Sequence, residues 1–243
     1  HLGRHGEALP LFQRAADLAS TPLDRAGALN NLADSLFHQG RLDLALGARR
    51  RAVDLAPPLH PIRSNALRDL AAIPDLEWNE VVMYPAGYFS RDISVDTTLK
   101  LPSGWKYATA LETASAQGDM IRFERTPLNT LLDSPLYAGL YYERIDLSPT
   151  STDIVHLNIF ADAADDLKMT PEELTGHKAL VAEADKLYGS HHYKHYDFLL
   201  LLSAQVGGVA LEHHQSSEDG QPAKSLTDWN NGLLHRDLLG HEY

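Results

Sequence analysis

The sequence predicts an α+β protein: N-terminal α-helical hairpin repeats, then a β-rich segment, then strands mixed with helices. Three observations predict it. The first 56 residues repeat their own apolar and small-residue pattern at an offset of 37. From Trp78 onward that helical spacing gives way to strand-like alternation, as in Asp92-Ile93-Ser94-Val95-Asp96 and Thr98-Leu99-Lys100-Leu101. Helix-opening signals return at Thr170-Pro171-Glu172-Glu173, after two apolar strand runs. The boundaries that follow are 1–75 for the repeats, 76–150 for the β-rich part and 151–243 for the rest.

The N-terminal elements are set by small residues and proline. Leu2-Gly3-Arg4, Ala8-Leu9 and Arg14-Ala15-Ala16-Asp17-Leu18-Ala19 recur as Gln39-Gly40-Arg41, Ala45-Leu46 and Arg51-Ala52-Val53-Asp54-Leu55-Ala56. Helices are expected at about 6–19, 23–38, 41–56 and 60–72, with Pro22 and Pro57-Pro58 at their ends, where a missing N–H does least harm. The period lies near the 34 residues of a tetratricopeptide repeat, and residues 1–72 resemble that family. Such repeats serve as a structural spacer or as a groove for a partner peptide, and no residue type here selects between them.

Further along, Pro102-Ser103-Gly104 signals a turn, and Ile121-Arg122-Phe123-Glu124 and Ile154 to Phe160 read as strands. The helix opened by Thr170 has Pro171 at its first position and Glu173 placed to close a capping box. Its apolar face is expected to run through Leu174, Leu180, Val181, Ala184 and Leu187 to a stop at Gly189. Phe198 to Leu202 reads as a buried strand, and Val206 to Ser217 as a second, broken at Gly207-Gly208. A last helix is expected to begin near Asn231 and carry Leu234, Leu238 and His241.

Composition narrows the chemistry. The 243 residues include no cysteine, so disulfides and thiolate metal sites are excluded, and any metal must use histidine and carboxylates. A formal charge of -12 argues against nucleic acid or an anionic membrane as partner. No apolar run approaches the roughly 18 residues of a membrane span. The acidic surplus is uneven: residues 1–75 carry 9 Arg against 8 acids, and Lys100 is the first lysine. Of 13 histidines, 7 lie from His191 onward. The first residue is His, so an upstream start is expected. An acidic chain without cysteine suits cytoplasm and periplasm equally.

The chain closes on Leu238-Leu239-Gly240-His241-Glu242-Tyr243. An apolar helical run ending in His-Glu is how an H-E-x-x-H zinc helix begins, and it also suits a plain surface helix tip. The strand Gly207-Gly208-Val209-Ala210-Leu211-Glu212 bears on that choice. Its glycines allow close backbone approach, and Glu212 sits in an apolar strand where an unpaired carboxylate is costly, unless it simply faces outward. His191 and His195 are four apart, but the stretch runs into a strand rather than a helix, so structural roles are expected for them and for His213 and His214. Tyr193 and Tyr196 read as packing residues.

Five stretches carry a resemblance. They are Trp78–Gly87, Leu132-Asp133-Ser134-Pro135, His192–Leu200, Leu211–Ser217 and Arg236–Tyr243. In this order, residues 76–243 are similar to the glycyl aminopeptidase family of zinc metallopeptidases. The resemblance implies the remainder of a β-rich peptidase N-terminal domain and the start of a thermolysin-like (gluzincin) catalytic domain. It implies His241 as the first zinc ligand, Glu242 as general base, and Glu212, with Gly207 and Gly208, as substrate-binding positions that hold a peptide's free amine. It also implies a preference for small N-terminal residues, Gly or Ala. The family's pattern continues past the point where this chain stops, so the second histidine and the acidic ligand are expected elsewhere, and the polypeptide as given is expected to be an inactive fragment. The helical repeats stand where the family's N-terminal domain usually extends. The competing expectation is a non-catalytic interaction module that uses the repeats and keeps a degenerate peptidase-like scaffold.

Overall fold

The structure is a computed structural model that describes residues 5–37, 41–56, 75–150, 153–204, 209–227, 230 and 236–243. The chain divides into two compact units, His1–Ala72 and Ile73–Tyr243.

The first unit contains α1 (His5–Leu18), α2 (Pro22–Phe37) and α3 (Leu42–Leu55). Its core is built on small residues: Ala26, Ala33, Ala48 and Ala52 are fully buried, with Ala16, Ala45 and Ala56 nearly so. Leu29, Leu32 and Leu36 add large buried side chains to them. Alanine lets helix backbones approach closely and costs no side-chain entropy on burial. Thr21 opens α2 by accepting the Asp24 amide at 3.1 Å. Arg49 donates to Asn30 Oδ1 at 3.0 Å, tying α3 to α2. The helix expected over 60–72 lies outside the described residues.

The second unit begins with β1 (Asp75–Leu76), α4 (Trp78–Val81), β2 (Ser94–Val95), β3 (Thr98–Lys100), β4 (Lys106–Thr109), β5 (Thr113–Gln117), β6 (Met120–Phe123), β7 (Thr126–Pro127), α5 (Leu128–Leu132) and β8 (Leu136–Gly139). These make three small sheets, ordered β1-β8-β4, β2-β7 and β3-β6-β5. The alternation that predicted a strand over 92–96 holds only at β2, because Ser90–Asp92 turns as a 3-10 helix. Trp78 anchors the core of this part. It is 6% exposed, packs edge-on against Phe123, and its indole N–H donates to Ser134 O at 2.8 Å.

The rest is a five-stranded sheet with helices. β9 (Tyr142–Asp146), β10 (Ile154–Ala161), α6 (Pro171–Tyr188), β11 (His195–Leu202), β12 (Ala210–Glu212), β13 (Ser216–Gln221) and α7 (Leu238–Glu242) follow in order. The strands lie as β12-β13-β11-β10-β9, with β10, β11 and β13 parallel and the two edge strands antiparallel. β10 and β11 are apolar along most of their length because both faces are covered. One face places Leu157, Ile159, Tyr196, Phe198 and Leu200 in a core with Val181 of α6 and Leu239 of α7. The other places Phe160, Leu199 and Leu201 against Ala108 of β4 and Tyr137 of β8.

Three expectations need correction here. Thr170 caps α6 and Gly189 ends it in the left-handed conformation, but Glu173 does not close a capping box. Its carboxylate is buried and takes two N–H groups of Arg236 instead, at 2.9 and 3.3 Å. Leu187 leaves the apolar face, since it is 75% exposed at the helix end. The single strand expected over 206–217 is a hairpin of β12 and β13, so the polar run Ser216–Gln221 is an interior strand. Of the last expected helix, only Leu238–Glu242 is seen helical; residues 231–235 lie outside the described residues. Among the described residues, no helix is long and apolar enough to cross a membrane.

Candidate active site

Sheet order brings the C-terminal His-Glu pair to the hairpin edge. α7 packs on β12 and β13, driven by Leu239, which is fully buried in the core. Gly240 sits where that packing is tightest, since a Cβ there would lie 3.1 Å from Leu180 Cδ1 of α6. The Tyr196 hydroxyl donates to Glu242 O at 3.1 Å, and the rings of Tyr196 and Phe198 lie 4.9 and 5.3 Å from that of Tyr243. The hydroxyls of Tyr193 and Tyr243 are hydrogen-bonded. Tyr193 and Tyr196 are thus packing residues with satisfied polar ends.

Glu242 is 7% exposed, whereas His241 is exposed. Burial raises the Glu242 carboxyl above its usual range; the neighbouring His241 opposes this, and a hydrogen bond with the Glu212 carboxyl adds to it. Two carboxyls this close repel when both are charged, and that repulsion is the smaller part of the rise at Glu242. Glu212 itself is exposed, as are Ala210 and Leu211. The premise of a carboxylate held in an apolar strand is therefore corrected. β12 is an edge strand, and Glu212 is kept near Glu242 by the hairpin and not by burial. Gly207 and Gly208 lie outside the described residues.

Beneath this pair lies Asp219, fully buried on the β13 face that also carries Ser217. Ser217 Oγ donates to Asp219 Oδ2 at 2.7 Å, while Oδ1 has no hydrogen-bond partner among the described residues. Burial pushes the Asp219 carboxyl up to about 7, against the Ser217 hydrogen bond and with help from the charges of Glu242 and Glu218.

The opposite face of β13 holds the hairpin in place. His213, whose side chain is 8% exposed, bridges Asp133 Oδ1 and Glu218 Oε2, each at 3.2 Å. Asp133 Oδ2 also accepts the His214 amide at 3.0 Å. Burial would lower the His213 pKa, but Glu218 and Asp133 outweigh it and raise it. Glu77 joins the cluster: burial, then a hydrogen bond and charge from Glu218, push its carboxyl up to about 7. None of these partners was legible as a site. Asp133 lies 80 residues from His213, and Glu218 and Asp219 fall just past the strand expected to end at Ser217.

A catalytic zinc takes three protein ligands. His241 is one imidazole, and among the described residues no group of three His, Asp or Glu side chains is placed to hold a metal ion. The described residues alone do not fit the ion.

The comparisons with known proteins bear on the scaffold. No curated protein matches the chain. Residues 68–140 match the Peptidase M61 N-terminal domain. Among solved structures, the crystal structure of an aminopeptidase N family protein from Idiomarina loihiensis is similar, with a TM-score of 0.52 at 20% identity. The likeness covers 63% of this chain and 27% of that one, so the chain spans well under two thirds of that protein's length. At this identity the shared feature is the fold. The likeness to a peptidase domain thus lies in residues 68–140, and the wider structural likeness is one of fold.

Proposed function

We propose that this chain is part of a zinc-dependent aminopeptidase that removes small N-terminal residues, Gly or Ala, and that these 243 residues alone are inactive. The observation that carries the reading is the meeting of Glu212 on an edge strand with Glu242 on the His-Glu helix. An open strand edge accepts a peptide by main-chain pairing. A substrate's ammonium placed between the two carboxyls offsets the repulsion between them. Glu212 then holds the amine, while Glu242, close by, takes a proton from the attacking water and passes it to the leaving nitrogen. His241 would be one ligand to zinc, which when bound would lower the pKa of water and polarise the scissile carbonyl. Two further protein ligands would be needed to complete such a site. Gly207 and Gly208 lead into the strand that lines the peptide, and the helical repeats offer a docking face for a protein partner.

The test is made on the encoded protein in full. It should release N-terminal Gly or Ala from unblocked peptides and fail on N-acetylated ones. Glu242→Gln should lower kcat by about 100-fold or more, and Glu212→Gln should raise KM for unblocked peptides. An unchanged KM for unblocked peptides in Glu212→Gln would remove the amine-binding role. The 243-residue chain should bind no stoichiometric zinc at micromolar concentration; tight binding abolished by His241→Ala would overturn its inactivity.

A further inference from the structure

Glu212 is exposed on an edge strand of three residues, so burial does not fix its direction. β12 pairs with β13 through Ala210, Leu211 and Glu212, and the turn that follows sets where the strand ends. The His213 amide closes that turn on Ser216 O at 2.9 Å. Side chains alternate across the hairpin. Glu212 lies opposite Ser217, on the face of Glu242, and His213 lies on the other face with Glu218. A pull on His213 therefore reaches Glu212 through one planar, stiff peptide unit.

That pull is charged on both sides. The His213 side chain is 8% exposed, with Nδ1 at 3.2 Å from Asp133 Oδ1 and Nε2 at 3.2 Å from Glu218 Oε2. Carboxylate oxygens only accept, so both ring nitrogens must donate and the imidazole is charged. Burial opposes that charge, and Glu218 and Asp133 outweigh it. Asp133 grips the turn with its second oxygen too, since Oδ2 accepts the His214 amide at 3.0 Å. It is itself fixed at the end of α5, where its amide donates to Asn129 O at 3.1 Å. The next residue, Ser134, takes the buried Trp78 indole on its carbonyl. The end of β12 is thus pinned to the core of the β-rich sheets. The hairpin itself does not depend on the His213 ring: its ladder to β13 remains without it, as does the bond from His192 Nε2 to His214 O at 2.8 Å.

We propose that His213 is a positioning residue: clamped between Asp133 and Glu218, it holds Glu212 in the direction that meets a peptide's amine. The proposal rests on the peptidase reading above. The experiment uses the encoded protein in full, with unblocked glycyl and alanyl peptides. His213→Ala should raise KM by about tenfold and leave kcat within about twofold. In the background of Glu212→Gln it should change KM by less than about twofold, because no amine contact is left to misplace. His213→Asn keeps an N–H in the place of Nδ1, facing Asp133, and gives up the contact with Glu218. It should return KM to within about threefold of wild type, although it loses stability in urea as His213→Ala does. A loss of stability alone would give no such pattern. If His213→Ala does not fold, Asp133→Asn, at a side chain 45% exposed, takes its place in the same cycle. A wild type that releases no N-terminal Gly or Ala would end the peptidase reading and this proposal with it. With an active wild type, three results would each overturn the positioning role alone: an unchanged KM in His213→Ala, an effect that multiplies in full with that of Glu212→Gln, or no recovery of KM in His213→Asn.

Discussion

The buried Asp219 makes a sharp prediction about pH. Its folded-state pKa of about 7 stands above the ordinary aspartate value, so the folded chain keeps a proton that the unfolded chain has released. Between those two values the native state binds more protons, and stability falls as pH rises. The loss is complete once the pH passes the folded value. Each pH unit in that window costs about 1.4 kcal/mol, so this one group should remove about 2–3 kcal/mol from the second unit between pH 5 and pH 8. Relaxation around the buried charge could halve that figure and still leave about 1 kcal/mol. Asp219→Asn removes the titration while its carbonyl oxygen can still accept from Ser217 Oγ. Glu77, His195 and His213 also have raised values and push in the same direction, but they are present in both proteins and cancel in the comparison, whereas the charge coupling of Glu242 to Asp219 is part of the effect measured. The assay is urea unfolding at pH 5 and pH 8 followed by tryptophan fluorescence. All three tryptophans lie beyond residue 75, so the signal reports the second unit. Wild type should lose about 1–3 kcal/mol more than Asp219→Asn across that range. Parallel pH dependence in the two proteins would refute the burial argument.

Three other expectations follow from packing and hydrogen bonding. Ala48→Leu in the fully buried alanine seam of α3 should destabilise the first unit by about 1–3 kcal/mol through overpacking, read as a lowered helical melting temperature by circular dichroism. Asp133→Ala leaves His213 Nδ1 and the His214 amide without their acceptor; it should cost about 1–3 kcal/mol in urea unfolding and speed amide exchange in the β12–β13 hairpin. Gly189 closes α6 at φ 69°, so Gly189→Val should cost about 1–3 kcal/mol in the same unfolding assay, although nothing crowds its Cβ position.

Local chemistry made part of this protein legible. α6 is read from Thr170, Pro171 and Gly189, because capping and left-handed termination depend on residues adjacent in sequence. The apolar runs of β10 and β11 announce strands covered on both faces. Proline and alanine spacing places α1, α2 and α3 within a residue or two. Resemblance, rather than periodicity, singled out His241, Glu242 and Glu212 as candidates.

Tertiary structure alone decided the rest. β13 is polar throughout, yet it lies inside the sheet between β11 and β12, because its backbone pairs on both sides. Asp133 reaches His213, Trp78 reaches Ser134, and Arg236 reaches Glu173 through folding that no local window contains. Glu173 shows the conflict directly: local rules assign it to a helix cap, and a guanidinium from residue 236 takes it instead. Side-chain charges act over a few ångströms of space regardless of separation along the chain. The meeting of Glu212 with Glu242, and the cluster of Asn158, His195 and Arg144 around the buried Asp197 on the opposite sheet face, therefore exist only once the sheet has formed.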